Sequence, residues 1–181
     1  MKKISFIILC IISISAHAQK YYTKNGSVSF YSKATVEDIQ ATNNQALSVV
    51  NVATGDIQFS LLNTGFHFEK ALMEEHFNED YMESPKYPKS TFKGKITNLS
   101  EINFTKDGTY NTTVTGDLMI HGVTNKVTAG GTITIKNGAI SASSKFNIKL
   151  ADYKISIPSV VKNNIAETIA ITVSCSFSSK M

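Results

Sequence analysis

DGTYNTTVTGDLMIHGVTNKVTAGGTITIKNGAISASSKFNIKL, residues 107–150, alternates apolar and polar side chains with a period of two through three successive runs. Tyr110, Thr112, Val114, Gly116, Leu118 and Ile120 fall on one face of the first run, with Asn111, Thr113, Thr115, Asp117 and Met119 on the other. A two-residue period is the pattern of a half-buried strand. His121–Lys126 turns the chain, and Ala129, Gly131, Ile133 and Ile135 resume the apolar face. Asn137-Gly138 is a strong two-residue hairpin signal, because both positions tolerate positive φ. Ile140, Ala142, Ser144, Phe146, Ile148 and Leu150 then oppose Ser141, Ser143, Lys145, Asn147 and Lys149. These runs predict three antiparallel strands, each with a single apolar face.

The same pattern extends outward in both directions. Ile169, Ile171, Val173, Cys175 and Phe177 alternate in a final strand. Upstream, an Asn25-Gly26 turn signal precedes Val28 and Phe30, Ile39 and Ala41 mark a short strand, and Ala46–Val52 forms another. Ile57, Phe59 and Leu61 alternate, as do Phe92, Gly94 and Ile96, while Ile155, Ile157 and Val160 bend round Pro158. Eight or nine hairpin-joined strands with one apolar face each define an all-β, antiparallel barrel or sandwich. Strands of about ten residues span roughly 33 Å, a length better suited to a deep barrel than to a small sandwich. No repeat, linker or break in composition divides the chain.

One stretch breaks the period. In FHFEKALMEEHFNEDYMESPKYPKSTFKGKI, residues 66–96, Phe68, Leu72 and His76 recur at steps of four with Met73 and Phe77 beside them. This is the spacing of one flank of a short helix. The helical pattern fails after Phe77, where Asn78, Asp80, Ser84-Pro85 and Tyr87-Pro88 predict a loop. One aromatic-rich helix among many strands reads as a lid or plug. It either caps a solid core or helps to line a pocket, since both need the same apolar residues. Gly116, Ala129, Gly131, Ala142 and Ser144 put small residues on the apolar faces, which favours a cavity, although alternating small and large residues also fill a tapering interior.

Residues 1–18 read as a signal peptide, with Lys2-Lys3, an apolar run from Ile4 to Ile14 and an Ala16-His17-Ala18 cleavage site. The barrel domain is then expected over 19–181, beginning at Gln19. With 18 of the 181 residues set aside, 163 remain, enough for one domain with a real core. Two of the 18 basic residues leave with the leader, so 16 lysines face 14 acids. The basic residues are scattered and include no arginine, which argues against a nucleic-acid partner. Cys175 is the one cysteine after the leader, so neither an intrachain disulfide nor a cysteine-based metal site is expected.

Candidate chemistry is sparse. His67, His76 and nearby carboxylates lack metal-ligand spacing and read as surface or half-buried groups, so no metal or cofactor is expected. His121 at a hairpin end reads as a partner of the turn backbone, with a place at a pocket mouth as the other reading. No G-x-S-x-G is present, and Cys175 lies on an apolar strand face where a thiol is normally inert. Glu74/Glu75 and Glu79/Asp80 read as solvated neighbours rather than an acid–base pair. No catalytic residue is assigned.

GDLMIHGVTNKV, residues 116–127, resembles the GDLTIHGVTKPV hairpin of the YceI-like family. YMESPKYPKSTFKGKI (81–96) resembles that family's helix and YP loop entering a strand, and ADYKISIPSVVKNNIAETIAITVSCSF (151–177) resembles its closing two strands. The resemblance implies a lipocalin-like antiparallel β-barrel of about eight strands, with one short helix and an apolar tunnel. It implies an exported, non-enzymatic protein, periplasmic or secreted, that holds a polyisoprenoid or other long-chain lipid for carriage or storage. Ala151-Asp152-Tyr153-Lys154 departs from the Arg-Ser-Asp-Phe-Gly type run of many members, so no head-group contact is carried over. The residues expected to meet the ligand are Phe30 and Phe59 upstream, then Phe66, Phe68, Leu72, Met73, Phe77 and Tyr81 in the helical segment. Phe92, Leu118, Ile120, Ile133, Ala142, Phe146 and Ile148 complete the set from the later strands. Transient membrane contact and a homodimer stay open, as do two other functions, a solid-cored module for a protein partner and a lipid-modifying enzyme.

Overall fold

The computed structural model describes residues 19–177 and 179–180; the expected leader and its cleavage site lie outside them. Among these residues ten strands follow one another, beginning with β1 (Lys20–Lys33), β2 (Asp38–Asn51), β3 (Asp56–Leu62) and β4 (His67–Phe68). Helix α1 (Ala71–His76) follows, then β5 (Lys89–Ile96), β6 (Gly108–Ile120), β7 (Val123–Lys136), β8 (Ala139–Lys149), β9 (Thr168–Phe177) and β10 (Ser179–Lys180). The sheet order is β10-β1-β9-β8-β7-β6-β5-β3-β2-β4, and β1 also pairs with β2. That last pairing closes eight antiparallel strands into a barrel, with β4 and β10 as two-residue additions beside β2 and β1. Closure removes the free edges that an open sheet would expose.

Register follows the alternation in sequence. Phe146 lies opposite Ile171, Ala142 opposite Cys175 and Ile133, and Phe92 opposite both Phe59 and Leu118. Asn137 (φ 51°) and Gly138 (φ 77°) form the tight β7–β8 turn that their residue types favour.

Several local expectations give way to pairing. Asn25-Gly26 lies inside β1, where the register with β2 shifts on either side of Gly26. It is a bulge, because both edges of β1 are engaged and the chain has no room to turn. The two short strands expected at Ile39–Ala41 and Ala46–Val52 are one continuous strand. Asn43 holds the middle of β2 by donating to Leu62 O at 2.8 Å and accepting from Gln45 N. The segment from Ile155 to Val160 forms no strand; it is irregular, with a helical turn at Ser159–Val161. The closing part of the chain therefore supplies a long connection and β9, with only the short β10 beyond it.

The two ends of the barrel differ. At the end of the β2–β3 and β7–β8 turns, Val50, Val52, Ile57, Ile96, Ile102, Ile135, Ile140 and Phe177 pack into a solid floor. Over the other end lie two long connections, residues 63–88 containing α1 and residues 150–167.

Candidate functional site

A cavity of about 390 Å³ lies between that floor and the two covering connections. This is within the usual range for small-molecule pockets. Its wall is built from the inward positions of the strands: Phe30 on β1, Phe59 on β3, Phe92 on β5, Leu118 and Ile120 on β6, Ile133 on β7, and Ala142, Phe146 and Ile148 on β8. Several of these, including Phe30, Phe59, Phe92, Ala142 and Phe146, point inward yet are only half-buried, because they border empty space.

The first connection adds Phe66, Met73, Phe77 and Tyr81. Helix α1 is six residues long and runs on into a wider helical turn, Phe77–Tyr81, where a loop was expected. Asn78 sustains the extra turn by donating to Glu74 O at 2.9 Å and accepting from Ser84 Oγ at 2.7 Å. The inward stripe is Met73, Phe77 and Tyr81, at steps of four. Leu72 is 61% exposed and outside the cavity. The phase differs from the expected Phe68–Leu72–His76 flank because Phe68 precedes the helix in β4, paired with Ala41. One residue of helical advance rotates a side chain by about 100°, enough to turn Leu72 outward. Phe68 stands behind the wall rather than in it, its ring 5.6 Å from Phe30 and 5.1 Å from Phe77. Phe30, Phe66 and Phe77 meet at 5.4–5.5 Å, so four rings clamp the helical segment onto β1 and β2. Aromatic pairs of this kind contribute about 0.5–1.5 kcal/mol each beyond burial.

The base of this connection is fixed by Asn63, which is fully buried. It donates to Tyr87 O at 2.6 Å and accepts from Ser90 Oγ at 2.8 Å. The second connection contributes Leu150, Ile155, Val161 and Ile165 to the wall, and β9 adds Ile169 and Ile171. These wall residues, with Met82 and Val127, had no place among the candidates. The alternation does mark Ile169, Ile171 and Val127, whereas the irregular connection carries no periodic signal.

Polar groups gather where the cavity reaches the surface. Glu37, His76 and Asn164 line it there, from the β1–β2 loop, the end of α1 and the second connection. Glu37 pairs with Lys70, Val36 N donates to Asn163 O at 3.2 Å, and Ser32 Oγ accepts from Ala166 N at 2.9 Å, so the three rim segments are tied together. Deeper in, the polar side chains are scattered hydroxyls such as Ser90, Thr112 and Ser144, the last bonded to Gly130 O at 2.7 Å.

Not every small residue opens space. A Cβ on Gly116 would sit 2.4 Å from the Gly94 backbone and 2.8 Å from the Phe92 ring, so this glycine pair accommodates Phe92. Gly131, Ala129, Ala142 and Ser144 do border the cavity. His121 does not bond its own turn; its Nδ1 faces Tyr153 O at 3.2 Å and its Nε2 faces Glu83 Oε2 at 2.7 Å. Among the described residues, no three His, Cys, Asp or Glu side chains gather as a metal site.

A closed eight-stranded antiparallel barrel with an apolar internal cavity and a short helical cover defines the lipocalin-like class of barrels. The chain belongs to the YceI-like domain family, whose model matches residues 14–177. The fold is shared with a polyisoprenoid-binding domain from Saccharophagus degradans implicated in plant cell wall breakdown. That match has TM-score 0.73 and 14% identity, covering 87% of this chain and 95% of that one. Burkholderia cenocepacia BcnA matches at TM-score 0.68 and 18% identity, covering 82% and 94%. A Campylobacter jejuni YceI protein matches at TM-score 0.56 and 16% identity, covering 100% and 91%. No curated protein matches the chain in sequence.

Proposed function

We propose that this protein is an exported carrier or store for a polyisoprenoid or other long-chain lipid, held tail-inward in the barrel. The cavity carries the reading, being apolar and floored at one end, with Glu37, His76 and Asn164 at the other. Burying an alkyl tail gains about 0.8 kcal/mol per CH₂ before the costs of association are subtracted. Tight binding then needs no charged contact, and affinity should change little with salt. The fold shared with the Saccharophagus degradans polyisoprenoid-binding domain supports the same ligand class. A solid-cored module for a protein partner would have no such cavity. We place no catalysis in it, because the wall offers isolated hydroxyls rather than a nucleophile beside a base.

The rim exposes Val36 (67%), Leu72 (61%) and Val160 (88%), each next in sequence to a cavity-lining residue. We read this as a surface for passing contact with a bilayer during uptake or release. Organic extraction of the purified protein followed by mass spectrometry tests the main reading. A stoichiometric long-chain lipid is expected, and an empty protein that also takes up no isoprenoid or fatty acyl chain overturns it.

A further inference from the structure

The side chain of His121 is 11% exposed at the end of β6, and both its ring nitrogens face acceptors. Glu83 Oε2 lies 2.7 Å from Nε2, and the Tyr153 carbonyl lies 3.2 Å from Nδ1. A carboxylate and a carbonyl have no proton to give, so only a ring with N–H on both nitrogens satisfies the pair. A neutral ring would turn a lone pair toward one of them.

The two acceptors belong to the two connections that cover the cavity. The Glu83 segment carries Phe77, Tyr81 and Met82, and the Tyr153 segment carries Leu150 and Ile155. Glu83, His121 and Lys154 have φ of 43°, 51° and 57°. Glu83 and His121 form one of the contacts themselves, and Lys154 follows Tyr153, which forms the other; non-glycine residues in the left-handed region are uncommon and mark an over-determined arrangement. Tyr87 packs edge-on against the imidazole, with centroids 4.6 Å apart, and occupies the space that a side chain at Gly122 (φ 71°) would need.

We propose that His121 is the positioning residue that latches both covering segments to the β6–β7 turn when its ring is doubly protonated, so that ligand escape quickens as the proton is lost. The proposal rests on the lipid-holding reading above. The other charged or titratable groups in this cluster are few. Lys86 Nζ lies 3.6 Å from the second oxygen of Glu83 and 4.8 Å from the Tyr87 ring centroid, and Asp152 and Lys154 flank Tyr153. Lys86 gives the Glu83 carboxylate a partner whatever the state of the ring. Asn125 holds the Asp152 carbonyl at 2.7 Å, so the Tyr153 turn stays on β7 without His121. The link that opens is therefore the one between the helical segment and the rest of the cover.

Retinol is a suitable probe, since it is an isoprenoid with an uncharged head and its own fluorescence. Its transfer from the loaded protein to excess phosphatidylcholine vesicles gives the escape rate. Wild-type escape is expected to rise about tenfold as pH is raised from about 5 to about 8, the order set by one lost hydrogen bond. His121→Gln should be fast and flat with pH, whereas His121→Arg, permanently charged and rich in donors, should be slow and flat. A wild-type rate independent of pH, or a His121→Gln profile like that of the wild type, overturns the latch. If retinol does not load, the lipid reading fails separately. The latch is then decided on the empty protein by imidazole ¹⁵N shifts and by amide exchange over 77–88. Two protonated nitrogens at low pH, with protection against exchange falling as one proton leaves, support it; a neutral ring or unchanged protection overturns it.

Discussion

Gly26 shows how one missing side chain sets the packing of the barrel wall. A Cβ there would lie 2.9 Å from both Ala46 O and Cys175 Sγ. Gly26→Ala should therefore cost about 1–3 kcal/mol, the usual range for overpacking, read as a lower urea midpoint. Cys175→Ala should recover part of that loss, because the sulfur can be removed while the Ala46 carbonyl cannot, and a double-mutant cycle gives the coupling directly. The thiol itself is buried beside Ser48, and burial pushes it from an ordinary 9.0 up to about 11. The native state thus holds the proton that the unfolded chain releases first. This contribution to stability is intact below about pH 9 and is lost as pH rises toward 11. Stability should fall more steeply over that interval in the wild type than in Cys175→Ala, and native protein should resist iodoacetamide at pH 8. Glu83 titrates with the opposite sign: the hydrogen bond from His121, with help from Lys86, holds its carboxyl below the ordinary range. Its side of the bond is lost on strong acidification, when the carboxylate is protonated, so the cover should loosen in strong acid as well as when the His121 ring loses its proton.

At the scale of elements, the cover is the part of the protein whose stability is local. Its helix is six residues long, too short to hold itself by backbone bonds alone. The Phe30–Phe66–Phe68–Phe77 clamp and the Asn63 and Asn78 bridges hold it instead. Phe77→Ala should lower the local opening energy of residues 69–88 by about 2–3 kcal/mol, below the full core value because Phe77 is only half-buried. Leu72→Ala should change amide exchange there very little, since that side chain is in solvent. The contrast between these neighbours also marks how far the sequence is legible. Strand faces could be read because a period of two leaves no choice of phase once one residue is placed. Phe146, Ile133 and Leu118 accordingly face the interior as expected. A helix of under two turns offers too few residues to fix its phase, and β4, which does fix it by pairing with β2, is only two residues long. The second connection was illegible for a different reason. Ile155, Val161 and Ile165 reach the wall from irregular backbone pinned by long-range bonds, such as Val36 N to Asn163 O, that leave no mark in local sequence. His121 was seen as a hairpin residue, but its partners lie 38 and 32 positions away.

For the molecule as a whole, the consequence of one solid end and one covered end is that depth in the barrel should equal chain length in the ligand. The β7–β8 register sets a scale: Ile133 lies level with Ala142, and Gly131 with Ser144. Continuing by two puts Ala129 about 13 Å along the strand from the Ile133 level, at roughly 3.3 Å per residue. Ala142 touches the floor cluster, whereas Ala129 lies higher in the wall, between Val127 and Gly131. Phenylalanine at each position should therefore act differently. Ala142→Phe fills the deep end, so the longest tails should be lost while shorter ones still bind. Ala129→Phe crosses the cavity nearer its mouth and should abolish retention of long and short tails alike. Lys145→Ala, on the outer face of β8, should leave both unchanged. Each CH₂ denied a place should weaken binding by about 0.8 kcal/mol, so a series of fatty alcohols of increasing length gives affinities that climb and then level off. The plateau should come at a shorter chain in Ala142→Phe than in the wild type. Equal plateaus in the two proteins, with both folded by circular dichroism, would mean that the tail does not run toward the floor.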